Sequence, residues 1–155
     1  ESGGFSEIEG GNLIIDTKYL GPVEIDEKDI VVFEEGLLGL EDFKRYTLLG
    51  IGDGAVYKCL QPVNCKDFAF IVVSPWDVAP DYEIDVDDAE ISAIGERDMS
   101  SLDVYAILTI KPEGVTANLI GPVIINTKTM KGRQVVLVDS RYTTRHSILK
   151  LGQRV

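Results

Sequence analysis

The residues with the widest chemical potential in this 155-residue chain are carboxylates. Between Asp77 and Glu90 the sequence holds seven acidic side chains and no basic one. Such a stretch offers many carboxylate pairs for acid–base chemistry, and its spacing selects none of them. It also lacks the ligand order and the central glycine of a calcium-binding EF-hand loop. Two interpretations stay open: a solvated loop that starts a helix, or an acidic face that attracts a basic partner through Asp85, Asp87 and Asp88.

Thiol and imidazole chemistry is not indicated. Cys59 and Cys65 do not have the CxxC spacing of redox or zinc sites, and their apolar surroundings predict buried, reduced thiols, with a disulfide as the alternative. His146 is the single histidine, so no histidine cluster can hold a metal, and a solvated or hydrogen-bonding role is expected for it. The sequence contains no phosphate-binding glycine loop, no GxSxG and no HExxH motif. The inventory of recognisable catalytic motifs is therefore close to empty, and we expect no metal and no cofactor.

The elements that would position these side chains are short strands. From Asn12 onward, apolar runs of strand length are rich in β-branched residues and separated by turn-forming residues. The runs are 13–15, 29–33, 45–51, 55–60, 68–73, 102–110, 115–120, 122–126 and 134–138. The breaks are Gly21-Pro22, Gly52 to Gly54, Ser74-Pro75, Pro112 to Gly114 and Lys131-Gly132. This pattern predicts a mostly β fold, a small antiparallel barrel-like or sandwich domain with one or two short helices.

Two local structures are predicted in detail. Residues 102–110 alternate in polarity, which places Leu102, Ala106 and Ile110 toward a core, and Lys111 to Gly114 reverse the chain into the next strand. Ile107 lies on the opposite face and indicates that this side is partly covered as well. Asp87 can begin a short helix that runs through Ile94 and stops at Gly95. Residues 39–46 are expected to add another helical turn or two.

Length and charge restrict the class of protein. A chain of this size is expected to form one domain, here residues 12–150, with residues 1–11 as a flexible leader and 151–155 as a C-terminal tail. No apolar run approaches the roughly 20 residues that a membrane span requires. The formal net charge of −11 disfavours direct binding to nucleic acid or to anionic lipid, since both are negatively charged. A protein partner is the better match.

Two apolar segments are candidates for a docking surface. In the first, Asn118, Ile120, Pro122, Ile124 and Asn126 belong to one apolar strand, and Pro122 must occupy an edge or a bend because it has no N–H to donate. An edge strand with exposed apolar positions would bind a protein. The alternative is that the same apolar residues are core and the asparagines form turns.

The second candidate segment is Phe33 with the loop from Gly36 to Leu40. By default this is a packed turn. If the glycines expose Leu37 and Leu38, the loop faces a partner instead.

Read in order, six segments make the chain recognisable. They are IDTKYLGPVEID (15–26), FEEGLLGLEDFKRYTLL (33–49), FAFIVVSPW (68–76), DYEIDVDDAEI (81–91), TANLIGPVIINTK (116–128) and QVVLVDSRYTTRH (134–146). Together they resemble the FliW family of flagellar assembly factors. The sequence departs from the family's usual pattern at Leu38 and Leu40, where proline and phenylalanine are frequent, and at Gly121, where alanine is usual.

The resemblance implies a bacterial cytoplasmic protein with a β-barrel-like fold and no catalytic activity. It further implies binding to flagellin and to CsrA, an RNA-binding translational repressor, so that the factor relieves repression of flagellin translation by partner switching. A monomer is expected. Two alternatives are a small acidic hydrolase or carbohydrate-binding β-domain that uses a carboxylate pair, and a structural β-module of a larger assembly.

Overall fold

The computed structural model describes residues 5–8, 11–52, 56–95, 99–138 and 141–148. These residues form strands and two short α-helices, with single 3-10 turns at Glu27–Asp29 and Met99–Ser101. The strands are β1 (Phe5–Ile8), β2 (Asn12–Thr17), β3 (Gly21–Asp26), β4 (Ile30–Val32), β5 (Arg45–Gly50), β6 (Lys58–Pro62), β7 (Phe70–Val73), β8 (Leu102–Lys111), β9 (Gly114–Asn126), β10 (Lys131–Gln134) and β11 (His146–Ile148). The helices are α1 (Pro75–Val78) and α2 (Asp88–Ser92).

Seven strands, β4 to β10, close into a barrel. Strands β4 to β9 pair in chain order and antiparallel, and β10 pairs antiparallel with β9. The barrel closes where β10 meets β4 in parallel at Lys131 and Val32. Strand β11 pairs with the first half of β9, and β1, β2 and β3 form a separate antiparallel sheet. The prediction of a mostly β, barrel-like fold is confirmed.

The barrel interior is filled by one hydrophobic cluster, the inner core. Its buried members are Val31, Phe33, Leu37, Tyr46, Leu60, Val72, Val123 and Ile125. The rings of Phe33 and Tyr46 meet edge to face with centroids 5.3 Å apart, a favourable geometry for aromatic pairs. Ile107 and Tyr105 of β8 also pack here, which agrees with the expectation that this face of β8 is covered.

A second cluster, the outer core, lies on the outside of the barrel wall under residues 75–95, which we term the covering segment. Val73, Leu119 and Ile124 of the wall pack against Tyr82 and Ile91 of the covering segment. Successive side chains of a strand point to opposite faces, so Val123 joins the inner core and its neighbour Ile124 the outer core. A third, smaller cluster joins the β1–β3 sheet to the barrel through Ile15, Ile25 and Val63.

Several local predictions agree with the structure. The Lys111 to Gly114 turn connects β8 and β9, and Asp87 precedes helix α2. Both cysteines are free and buried, which confirms the expectation of structural thiols. Pro122 lies at an irregularity in the pairing of β9 with β8, where the register shifts between the pairs Tyr105–Val123 and Ile107–Asn118. It therefore occupies a bend, as its missing N–H requires.

Other predictions need correction. The expected leader contains β1, whose backbone pairs with β2 and so completes the hydrogen bonding of that strand. The runs 115–120 and 122–126 form one strand, β9, in spite of Gly121-Pro122. Lys131-Gly132 is not a turn but the start of β10, and the reversal takes place at residues 127–130. A Cβ at Gly132 would lie 2.5 Å from the Phe33 ring, so close packing explains that glycine.

The helix predictions and the predicted core face of β8 also need adjustment. Residues 39–46 form no helix: turns flank a bridge between Leu37 and Leu40, and Arg45 begins β5. Helix α1 occurs unpredicted at Pro75–Val78. Ile110 is 60% exposed, since β8 extends beyond the outer core at its end. Of the predicted turn at 52–54, residues 53 and 54 lie outside the described residues.

Candidate functional site

A hydrogen-bonded aromatic cluster holds the covering segment against the barrel. The Trp76 indole N–H donates to the Tyr82 carbonyl at 2.9 Å, and the Tyr82 hydroxyl donates to the Leu119 carbonyl of β9 at 2.7 Å. The Tyr142 hydroxyl accepts from the Glu83 N–H at 2.7 Å, and its ring lies 4.7 Å from that of Tyr82. These contacts connect three parts of the chain that are distant in sequence. They hold the first half of the covering segment in one position.

Helix α2 is attached through an ion-pair network. Arg133 of β10 pairs with Glu90 of α2 and lies 3.8 Å from the Glu35 carboxylate. Beyond α2, the Thr129 hydroxyl donates to the Ile94 carbonyl at 2.6 Å. The second half of the covering segment is thus also fixed to the barrel wall.

Between the covering segment and the barrel wall lies a groove of about 660 Å³. Its apolar lining comes from the covering segment, β8 and β9, and the region just before β6. It includes Val56, Trp76, Ile84, Val86, Ile91, Leu102, Val104, Tyr105 and Ile124. Four exposed aspartates also line the groove, namely Asp77, Asp85, Asp88 and Asp103. Lys58 and Ser74 line it as well, and both are half-buried. The arrangement is an apolar surface bordered by negative charge.

Three predicted acidic residues are at the surface. Asp85, Asp87 and Asp88 are all exposed, and two of them, Asp85 and Asp88, line the groove. Asp87 occupies the N-cap position of α2 through its backbone conformation, without a side-chain capping bond. An exposed location is compatible with both open interpretations, a solvated face and a steering face for a basic partner.

The two predicted apolar segments meet at Gln134 of β10. Its side-chain oxygen accepts from the Leu38 N–H at 3.0 Å, and its amide donates to the Gly121 carbonyl at 2.9 Å. The Asn118 side-chain oxygen accepts from the N–H groups of Ile120 and Gly121 at 3.0 and 2.8 Å. Gln134 thereby joins the Gly36–Leu40 loop to the bend of β9. We term this group the Gln134 bridge.

Most of the predicted apolar docking residues are not at the surface. Phe33, Gly36, Leu37, Pro122, Ile124 and Asn126 are all buried. The edge strand expected at 118–126 is absent, because β9 pairs with β8 and β10 and both faces of its second half are covered. Of the apolar residues proposed for docking, Leu38 is 59% exposed and Ile120 is half-buried, while Asn118 beside them is also half-buried.

Asn126 has a structural role in the turn after β9. It is fully buried, and its side-chain oxygen accepts from the N–H groups of Lys128 and Thr129 at 2.9 and 3.1 Å. This is the turn-forming role that an asparagine side chain commonly takes.

Sequence reasoning did not single out four residues that shape the site, namely Trp76, Tyr82, Asp103 and Gln134. Trp76 is the single tryptophan of the chain and directly follows an apolar run, in the segment SPW. Its residue type and its position could therefore have indicated a role in the site. Gln134 had none, since its role depends on two loops that only the fold brings together.

Burial changes the acidity of several phenols and one thiol. It raises the pKa of Tyr46 and of Tyr82, with small contributions from Cys65 and Tyr142 respectively. Burial also raises the pKa of Tyr105, helped by the Asp103 charge beside it. Desolvation raises the pKa of the Cys59 thiol to about 11, so this thiol is a poor nucleophile at neutral pH.

The groove also bears on the alternative of a carboxylate-based hydrolase. Four aspartates line it, but all four are exposed, whereas a carboxyl group that acts as general acid is normally desolvated. Among the described residues, no group of three or more His, Cys, Asp or Glu side chains could hold a metal ion. Within the same residues, no helix is long and apolar enough to cross a membrane.

Comparison with known proteins gives one consistent family. The family model described as FliW protein matches residues 14–148. A flagellar assembly factor FliW from Bacillus velezensis is 40% identical over 138 residues, which are 88% of this chain and 96% of that protein. One from Treponema denticola is 41% identical over 137 residues, 87% of this chain and 92% of that protein. A crystal structure of the flagellar assembly factor FliW superposes with a TM-score of 0.80 at 39% identity, covering 88% and 96% of the two chains.

Proposed function

Because this chain belongs to the FliW family of flagellar assembly factors, we propose that it binds newly made flagellin and the RNA-binding repressor CsrA with its outer surface. The observation that carries the proposal is the extent of the match, which spans residues 14–148 and so includes the whole barrel and the covering segment. Similarity over the barrel and the covering segment supports a role that uses the same surfaces.

Charge supports the repressor as a partner. An RNA-binding protein needs positive charge to contact phosphates, and this chain has a formal net charge of −11. Asp85, Asp87 and Asp88 lie exposed on the covering segment, where they can attract a basic surface over several ångströms. Such complementarity speeds association and discourages acidic competitors.

The proposed mechanism is a partner switch driven by mass action. Free flagellin occupies the factor, and export of flagellin leaves the factor available to CsrA, whose block on flagellin messenger RNA is then relieved. Neither a nucleotide nor a covalent step is needed. The factor acts in the cytoplasm as a monomeric, non-catalytic domain of residues 12–150, extended by β1.

A release experiment tests this function. A labelled complex of CsrA with flagellin leader RNA is titrated with the full chain at moderate salt. We expect RNA to be released at micromolar concentrations, and added flagellin to restore the complex. Ovalbumin, another acidic protein, is the control for non-specific charge effects. Absence of release, or release that flagellin does not reverse, contradicts the proposal.

A further inference from the structure

The groove beside the covering segment combines features of a docking site. Its volume of about 660 Å³ is in the range of roughly 300–1,000 Å³ that is typical of ligand pockets. Trp76 and Val56 at its border are 40% and 37% exposed, and Ile84, Val86 and Val104 are half-buried along it. Apolar side chains that lie side by side at the surface and are rimmed by polar residues are typical of a site of interaction with a partner.

The walls of the groove are held in position without a ligand. Trp76 is fixed by its bond to the Tyr82 carbonyl, and Tyr82 in turn is bonded to Leu119 on β9. The opposite end of the covering segment is held by the ion pair of Arg133 with Glu90. A site whose walls are already ordered loses little conformational entropy when a partner binds.

The charges around the groove define its occupant. Asp77, Asp85 and Asp88 come from the covering segment and Asp103 from β8, so negative charge borders two sides. Of the described residues that line the groove, Lys58 is the single basic one. An occupant therefore needs apolar side chains for the floor and lysine or arginine beside them for the border.

From this combination we infer that the groove binds a basic amphipathic segment of a partner protein. The groove accommodates a few apolar side chains of that segment, and flanking cationic side chains pair with Asp85 and Asp103 on opposite walls. This inference rests on the proposed function only in that flagellin and CsrA are the partners expected to supply such a segment. The groove itself is defined by its chemistry.

The position of Trp76 makes the inference directly measurable. It is the single tryptophan of the chain and lines the groove, so its fluorescence reports on this site alone. The probe is a tryptophan-free synthetic peptide of leucine and lysine, with leucines three and four positions apart as in an amphipathic helix. Two control peptides carry glutamate in place of lysine or alanine in place of leucine.

We expect the leucine–lysine peptide to shift the Trp76 emission to shorter wavelength with saturation, and both control peptides to leave it unchanged. The double variant Asp85→Asn, Asp103→Asn should bind about tenfold more weakly, with binding of the wild type falling steeply as salt rises. The matched variant Asp42→Asn, Asp67→Asn removes the same charge from exposed positions outside the groove and should bind like the wild type.

Three results overturn the inference: no emission shift at millimolar peptide, equal binding of the control peptides, or equal binding by the Asp85, Asp103 variant. A shift that depends on protein concentration without peptide overturns it too, because a second copy then covers the groove. The proposed function is judged separately. If flagellin and CsrA bind the groove variant as well as the wild type, the proposed function is supported but does not use the groove. If the peptide binds but neither protein does, the groove inference is supported and the proposed function is contradicted.

Discussion

The inner and outer cores each contain one deeply buried tyrosine, and the two differ in a way that separates stability from surface chemistry. The Tyr46 hydroxyl, inside the barrel, has no hydrogen-bond partner among the described residues. The Tyr82 hydroxyl, outside the wall, donates to Leu119 and so fixes the covering segment. Packing of the Tyr46 ring, and no hydrogen bond of its hydroxyl to the described residues, therefore holds this side chain in the inner core. The outer core uses directed bonds to hold an irregular segment that borders a groove.

The same contrast applies to neighbours in sequence. Leu37 packs in the inner core, whereas Leu38 is 59% exposed and its N–H donates to the Gln134 side chain. In the barrel wall, by contrast, successive residues such as Val123 and Ile124 are both buried, because the wall is covered on both sides. The burial of one residue therefore does not predict the burial of its neighbour in the sequence.

The largest expected effect is in the inner core. Phe33→Ala removes a fully buried ring that packs on Tyr46 and on Gly132, and should lower the free energy of unfolding by about 3–5 kcal/mol. Leu38→Ala, in the exposed loop, is the matched control and should change it by less than about 0.5 kcal/mol. Urea unfolding followed by circular dichroism measures both. Similar losses for the two variants would contradict the assignment of core and surface.

Removal of the hydroxyl group should have a smaller effect on the free energy of unfolding, and this effect should differ between Tyr46 and Tyr82. Tyr82→Phe removes the bond to the Leu119 carbonyl and should cost about 1–2 kcal/mol of unfolding free energy. Tyr46→Phe removes a hydroxyl without a described partner and should leave the protein within about 0.5 kcal/mol of the wild type, or more stable. Amide exchange in residues 75–91 should accelerate only in Tyr82→Phe. Equal costs would show that the Tyr82 bond does not hold the segment.

The pH dependence of stability sharpens this comparison. Burial raises the pKa of both tyrosines above the ordinary value of 10.0. The unfolded chain therefore ionises first, and the stability that these neutral phenols contribute is fully present below pH 10 and is lost as the pH rises above it. Tyr46→Phe should make unfolding less sensitive to pH between about 10 and 11. An unchanged alkaline slope would mean that Tyr46 ionises freely in the folded protein.

Loss of the Gln134 bridge should lower the free energy of unfolding by about 1 kcal/mol. Gln134→Ala removes two bonds, to the Leu38 N–H and the Gly121 carbonyl. We expect faster amide exchange at Leu38 and Gly39 with little change in the barrel. Arg133→Ala, next to it on β10, releases Glu90 instead and should accelerate exchange in α2. Exchange that is unaltered at the loop would show that the bridge does not order it.

Alternating polarity and turn chemistry were sufficient to predict the β8–β9 hairpin and Asp87 as the N-cap of α2, although the helix ends at Ser92 and not at the predicted Ile94. The sequence could not predict Gly132 within a strand, because its cause is the Phe33 ring, which is 99 positions away along the chain. It also could not assign Ile124 to the core, because a strand that is buried on both faces has no alternation to read.

The smallest effect on stability is expected from the acidic residues of the covering segment, although their effect on binding kinetics should be large. The triple variant Asp85→Asn, Asp87→Asn, Asp88→Asn should unfold like the wild type within about 1 kcal/mol, since Asp87 makes no side-chain capping bond. Its association with CsrA should be about tenfold slower at low salt and less dependent on salt. Stopped-flow mixing measures this. An unchanged association rate would assign the stretch to a solvated face.

In the proposed function, partners bind the outside of the barrel wall at the covering segment. Hydrogen exchange of the full chain, with and without saturating CsrA or flagellin, tests this most directly. We predict new protection in residues 75–91 and at Asp103 for at least one partner, with the inner-core strands β5 and β6 unchanged. Protection confined to the β1–β3 sheet, with the covering segment unchanged for both partners, would contradict the claim.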